Sequence, residues 1–276
     1  ILFCTLLPYR KRVIDQNLQI AFPNQSNEER KQIRKDFYRY FADLLVESVK
    51  NLSISKKQLL ERMHLENPEI LEEIKALNKP ILLVAGHYNN WEWLITAQAS
   101  WFKQPSYGIG MPLSHPFWNQ KLTERRERFG LKVVHAQNYQ EAFEAKNPVV
   151  LVLADQAPSS PTECLWIPFL HQNTAVIFGP EYMANKFNCS VVFADIKHSK
   201  RGYYNVNIEV LVKDSKTLHY QELTRMHVQK LEQQIKDNPT RWLWSHKRWK
   251  HQQPANWQNQ LQMLKSRFEE KFRRNA

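Results

Sequence analysis

Apolar positions along this chain change their spacing several times, and each change marks an element. Over residues 26–50 they recur at helical spacing, with Ile33, Phe37, Tyr40, Phe41, Leu44 and Leu45 on one broad face. Ser26 and Glu29 supply an S-x-x-E capping box at its start, and the pattern recurs over 55–58. A short helix follows over 68–77. The spacing then collapses into a continuous aliphatic run over 81–85, which reads as a short buried strand. Gly86 ends it and lets the backbone turn, and Trp91, Leu94 and Ile95 restart a helical pattern. Further strands are predicted over 107–111, 131–134, 148–154, 190–196 and 203–212. Helices are predicted over 116–128, 138–146, 179–187 and 218–237, and residues 258–276 form a polar, basic tail with loosely helical spacing. Strands alternating with helices predict an α/β fold, a mixed, mainly parallel sheet flanked by helices, in one domain over 13–257.

Candidate chemistry clusters at the end of the first long strand. His87 follows Gly86, and Glu92 lies five positions further on. Within one helix five residues advance by roughly 140°, so the two side chains would point apart. They meet only if His87 sits in the turn and Glu92 in the first helical turn. A histidine oriented by a carboxylate is the composition of a general base. The alternative is a structural hydrogen-bonding histidine at a strand end. Placement at the carboxyl end of a buried strand favours the catalytic reading, because open α/β sheets build their sites there. Asp155 and Gln156 follow the run over 148–154 in the same topological place, with a loop-capping aspartate as the alternative.

Composition narrows the chemistry. A formal net charge of +12 over 276 residues calls for an acidic partner: nucleic acid, an anionic membrane face or a phosphorylated substrate. Only six glycines are present, and no phosphate-cradling or dinucleotide glycine motif and no G-x-S-x-G elbow occurs. Cys4, Cys164 and Cys189 are widely spaced and odd in number, which fits a reducing compartment. The ten histidines show no ligand spacing, so neither a metal nor another cofactor is expected. Residues 1–7 are apolar, followed by Arg10, Lys11 and Arg12, as at the cytoplasmic end of a membrane segment; a buried terminal segment is the alternative. The stretch 241–251, RWLWSHKRWKH, interleaves indoles with cations. It suits a membrane interface through Trp244 and Trp249, or stacking on single-stranded nucleic acid, or tryptophans in a core with cations outside.

These blocks together resemble the late acyltransferases of lipid A biosynthesis, the lauroyl/myristoyl acyltransferase family. GHYNNWEW is similar to the family's H-x4-E block, and Arg12-Val13, Asn17-Leu18 and Ala21-Phe22-Pro23 to its early R-V-x-x-N-L-x-x-x-F-P stretch. RERFG resembles its R-x-x-x-G block, which by position implies Arg126 in the site, with Arg128 the residue most easily confused with it. Asp155-Gln156 matches a block that shapes the site, and Trp244 to Lys250 matches the W-x-H-R-R-W-K ending. Ile167-Pro168-Phe169 and Gly179-Pro180 match a P-F-F-G…T-G-P segment, but Leu170-His171-Gln172 stand where the family carries glycine after the aromatics.

The resemblance implies the glycerolipid-acyltransferase-like sandwich and the transfer of an acyl chain to a hydroxyl of an anionic lipid such as a lipid A precursor. Acyl carrier protein or acyl-CoA would be the donor. Other amphiphiles, amino-acid lipids among them, are alternative acceptors. His87 and Glu92 are then the catalytic pair, with Arg126, Asn90, Asp155, Gln156 and Arg128 as candidate substrate contacts. The expected location is the cytoplasmic face of the inner membrane. A basic, tryptophan-rich nucleic-acid-binding module is the rival class, and it gives His87 and Glu92 no task.

Overall fold

Five aliphatic residues in succession leave no face for water, and Ile81–Ala85 is buried along its whole length. In this computed structural model, which describes residues 9–162 and 164–273, that segment is the second of nine strands. They are β1 (Met63–Leu65), β2 (Ile81–Ala85), β3 (Ser106–Gly110), β4 (Leu131–His135), β5 (Val149–Leu153), β6 (Leu165–Phe169), β7 (Gln172–Val176), β8 (Ser190–Lys200) and β9 (Tyr203–Val212). Seven join one sheet in the order β1-β9-β8-β2-β5-β3-β4, while β6 and β7 form a separate hairpin. Every neighbouring pair in the large sheet is parallel except β8 with β9. The α/β class and the mainly parallel sheet expected from the alternation are what the chain forms.

The helices are α1 (Lys11–Ala21), α2 (Asn27–Lys50), α3 (Lys56–Arg62), α4 (Ile70–Ala76), α5 (Trp91–Trp101), α6 (Pro116–Glu127), α7 (Gly179–Lys186), α8 (Glu222–Asp237) and α9 (Trp257–Phe272). Both capping boxes close as read: the Glu29 amide donates to Ser26 and the Ser26 amide to Glu29, and Ser55 pairs reciprocally with Gln58. The described residues divide into two compact units. One comprises 43–153 and 187–214 and contains the whole seven-stranded sheet with α3 to α6. The other takes the chain up to 42, then 154–186 and 215 onward, with α1, α7 to α9 and the β6–β7 hairpin. The apolar stretch 1–7 and Cys4 lie outside the described residues. Among the described residues no helix is long and apolar enough to cross a membrane.

Two elements differ from expectation, and a third, the tail, is helical as its spacing suggested but packed. Residues Ala136–Phe143 form 3-10 turns kinked at Asn138 in place of an α-helix over 138–146. The tail after 257 is a sixteen-residue helix whose Trp257 joins Cys164, Trp166 and Ala175 in a small core. The segment that lacks the family's glycine is a tight β6–β7 hairpin, with Leu170 (φ 46°) and His171 (φ 64°) both left-handed. A two-residue turn of that hand matches the right-handed twist of its strands. Left-handed backbone costs about 1–2 kcal/mol per non-glycine residue, and complete burial of Leu170 offsets it.

Candidate active site

In the sheet unit, β2 and β5 are neighbours whose outgoing connections run to opposite sides. β2 leads to β3, and β5 leads to β8 on the far side of β2. Such a reversal opens a crevice at the carboxyl ends of the strands. His87 stands at that end of β2, half-buried, with its ring edge-on to Trp91 at 5.1 Å. Asn89 takes the left-handed turn (φ 50°), a conformation asparagine tolerates, and its side-chain amide donates to the Ile196 carbonyl at 2.6 Å. Asn90 then caps α5: its Oδ1 accepts from the Trp93 amide at 2.9 Å, and its Nδ2 donates to Glu47 at 2.6 Å. Glu47, itself buried, also accepts from the Tyr204 hydroxyl at 2.8 Å. The motif predicts a substrate contact at Asn90. Instead it is buried with both ends of its amide committed to the fold, so it positions the helix that carries Glu92.

Glu92 lies in the first turn of α5, as its role required, and it is surrounded by cations rather than left as a simple partner for a histidine. Arg126 donates to both carboxylate oxygens, Nε to Oε2 at 3.1 Å and Nη2 to Oε1 at 2.6 Å. Arg125 adds a third bond, Nη2 to Oε2 at 2.8 Å. All three side chains are largely buried. Burial pushes the Glu92 carboxyl up, but Arg126 and then Arg125 outweigh it and hold the group below the usual carboxylate range. The cluster therefore carries an ionised glutamate and a net charge of one positive unit. Arg126 Nη1 has no partner among the described residues and lies beside Gly110, where an added Cβ would come within 3.9 Å of it.

Arg128 belongs to neither end of this cluster. It is exposed, donates to the Asn51 carbonyl at 2.9 Å and stacks over Phe129. The partner that sequence reasoning missed is Arg125. In the sequence it is one cation among several on a basic helix, with nothing to set it apart. A helix running from Pro116 puts Arg125 and Arg126 together in the last turn of α6, where both reach Glu92.

Asp155 and Gln156 belong to the other compact unit. Asp155 is buried and accepts from the Trp242 indole at 2.7 Å. That bond opens a network running through the whole indole-and-cation stretch. His246 Nε2 accepts from the Ala157 amide at 3.0 Å, Arg248 donates to the Ala175 carbonyl at 2.7 Å, and the Trp249 indole donates to Thr174 at 2.8 Å. Asn17 on α1 donates to the Trp244 and His246 carbonyls. Trp244 is 0% exposed, which corrects its assignment to a membrane interface: an enclosed indole can neither lie at headgroup level nor stack on a base. The picture of cations outside also fails at Arg248, which is buried and pushed down to about 10 by desolvation. Trp249 is half-buried and lines a cleft of about 520 Å³ with Lys247, Lys250, Val13 and Ile20. Arg10, Lys11 and Arg12 are exposed, and Arg10 donates to the Ser245 carbonyl.

The same unit holds a second buried glutamate. Glu181, in the first turn of α7, accepts from the Gln221 amide at 2.6 Å and from the Thr224 amide and hydroxyl at 3.0 and 2.6 Å. It thereby caps α8 from outside. Burial raises its carboxyl above the usual range despite these bonds and the more distant Arg273. Cys164 and Cys189 are disfavoured as nucleophiles: burial pushes the Cys164 thiol up to about 11 and that of Cys189 to about 12.

The sequence of residues 1–251 matches a family model described as bacterial lipid A biosynthesis acyltransferase. None of the curated proteins compared with the chain matches it.

Proposed function

Because the chain belongs to the bacterial lipid A biosynthesis acyltransferases and is an acyltransferase, we propose that it moves a fatty acyl group from a carrier thioester to a hydroxyl of an anionic lipid. The acceptor of first choice is a lipid A precursor, and the donor is acyl carrier protein or acyl-CoA. The reaction takes place at a membrane surface, the cytoplasmic face of the inner membrane. Another amphiphile, such as an amino-acid lipid, is the alternative acceptor.

The observation that carries the mechanism is the ionised, arginine-clamped Glu92 in the first helical turn beyond His87. His87 takes the proton from the acceptor hydroxyl as its oxygen attacks the thioester carbonyl. The tetrahedral intermediate then collapses, and the imidazolium returns the proton to the leaving thiolate. Glu92 keeps the ring oriented, its own charge being offset by the two arginines that hold it. Arg126 has one face of its guanidinium committed to Glu92 and turns Nη1 to an anionic group of donor or acceptor, or to the developing oxyanion. Attack by the acceptor itself needs no enzyme nucleophile, in keeping with the raised thiols of Cys164 and Cys189. Asp155 and Gln156 order the loop they begin, a role that the Trp242 bond to Asp155 supports.

Transfer of a radiolabelled acyl group to a lipid A precursor tests the reading, with wild type set against His87→Ala. The variant should lose about 10²–10⁴-fold in rate, the range for a positioned base, at an unchanged melting temperature. Near-normal transfer by His87→Ala would remove the base assignment. Mass spectrometry of membrane lipids with and without the protein identifies the acceptor.

A further inference from the structure

The sheet unit carries a surface that the chemistry above leaves unused. Among the described residues, eight of the ten exposed large apolar side chains fall in two short stretches of this unit. The first is the end of α2 and the turn after it, where Leu45, Val46 and Val49 on the helix and Leu52 in the turn are exposed, Val49 being 67% exposed. The second leads from β3 into α6. Every residue from 111 to 118 is exposed, including Met111 (67%), Leu113, Phe117 (52%) and Trp118 (60%). This second stretch is built rather than loose. The Leu113 amide donates to Asn119 at 2.9 Å, Pro116 opens α6, and the Phe117 and Trp118 rings meet edge-on at 5.1 Å.

The two stretches are tied to each other and to the candidate site by the same arginines. Arg125, which binds Glu92, also donates to the Ser48 carbonyl at 3.3 Å, and Arg128 reaches the Asn51 carbonyl. Met111 directly follows Gly110, the residue beside Arg126 Nη1. An apolar surface of this kind, left open to water, marks an interaction site. Its charges select the partner. Lys50, Lys56 and Lys57 are exposed on and around the first stretch. The only carboxylate within 45–58 is the buried, hydrogen-bonded Glu47, and Glu124 on α6 is paired to Lys121.

We propose that these two stretches dock the sheet unit on an anionic bilayer, with Phe117 and Trp118 entering the boundary between headgroups and acyl chains and the lysines meeting lipid phosphates. Exposed aromatics on a unit that also presents free lysines are the composition that lies in such an interface. The proposal rests on reading the acceptor as a lipid. It places Arg126 and Glu92 directly behind the docked surface, so a lipid substrate reaches them without leaving the bilayer.

Flotation of the full chain with vesicles of phosphatidylglycerol and phosphatidylethanolamine tests it. Phe117→Ser/Trp118→Ser and, separately, Leu45→Ser/Val49→Ser should each lower the bound-to-free ratio by about tenfold or more, the loss expected when a large apolar side chain leaves an apolar phase. Met263→Ser, an exposed apolar position in the other unit, should float like wild type. Transfer to a dispersed, short-chain acceptor should stay within about twofold of wild type in both double variants. Flotation unchanged in both variants overturns the proposal. So does a wild-type dimer that the variants split while flotation persists, which would make the face a contact between copies. Loss of carrier-protein binding with flotation intact would overturn it in favour of a carrier dock. If wild type floats through this patch yet transfers no acyl group, the docking surface stands and the enzymatic reading falls.

Discussion

Glu92 and Glu181 each sit in the first turn of a helix, and each is buried, but burial ends differently for them. Glu92 faces two guanidinium groups and stays ionised below the usual range; Glu181 faces two amides and a hydroxyl and is raised above it. At Glu181 the hydrogen bonds do not outweigh desolvation, whereas at Glu92 two adjacent cations do. The difference separates a carboxylate kept charged by two arginines from one used as a helix cap. A reader of the sequence sees only two glutamates near helix starts.

Removing the charge at each site breaks the comparison most sharply. Glu92→Gln leaves two largely buried guanidinium groups facing a neutral amide, and it should cost about 3–5 kcal/mol of stability. Transfer in the folded fraction should fall as well, measured beside circular dichroism and thermal melting. The double variant His87→Ala/Glu92→Gln should be scarcely slower than His87→Ala, because effects within one catalytic unit do not add. Losses that multiply in a folded double variant would give Glu92 a task independent of His87.

The arginines sharpen the same point with a smaller effect. Arg126→Lys replaces a planar fork by a point charge and should slow transfer by roughly tenfold, one strong hydrogen bond's worth. Arg128→Lys, whose partner is a backbone carbonyl, should change the rate by no more than about twofold. The reverse ranking would mean that the wrong turn of α6 has been assigned to the site.

Glu181→Gln should have the mildest consequence, about 1 kcal/mol from the mismatched donor at Thr224, with transfer unchanged. The two glutamates should also give opposite pH signatures in thermal melting. The folded-state pKa of Glu92 is depressed, so its contribution is complete above the usual carboxylate range and is lost as pH falls through the folded value. That of Glu181 is raised, so the folded chain holds the proton longer and stability declines as pH rises through the usual range to the raised value. Glu92→Gln should remove the first slope and Glu181→Gln the second.

Much of the frame was legible because it rests on local patterns. The run Ile81–Ala85 could only be an inner strand, and Pro116 with the following helical spacing fixed α6 to within one residue. Both capping boxes formed because they need nothing beyond four consecutive residues. What failed depended on distant partners. Asn90 is polar and sits inside a motif, but Glu47, 43 positions earlier, takes its amide. Arg125 looked like one more cation on a basic helix until the fold brought Glu92 against it. The indoles of 241–251 carry the composition of an interface, and the Asp155 loop and the β6–β7 hairpin enclose them. Composition cannot say whether a tryptophan meets lipid or protein, because either surroundings satisfy its apolar body and its single donor.

Sheet order also matters while the chain is being made. β2 is flanked by β5 and β8, and β8 begins 105 residues after β2 ends, at 190 against 85. At about 5–20 residues per second, Ile81 to Val84 wait roughly 5–20 s on the ribosome with one edge unpaired. That edge is wholly aliphatic, the kind of template on which nascent chains associate. When β8 does emerge, it forms a long antiparallel hairpin with β9 across a two-residue turn at Arg201 and Gly202, so the missing neighbour can be delivered already paired. A ribosome stalled before residue 190 would hold out this aliphatic edge of β2 without its β8 neighbour.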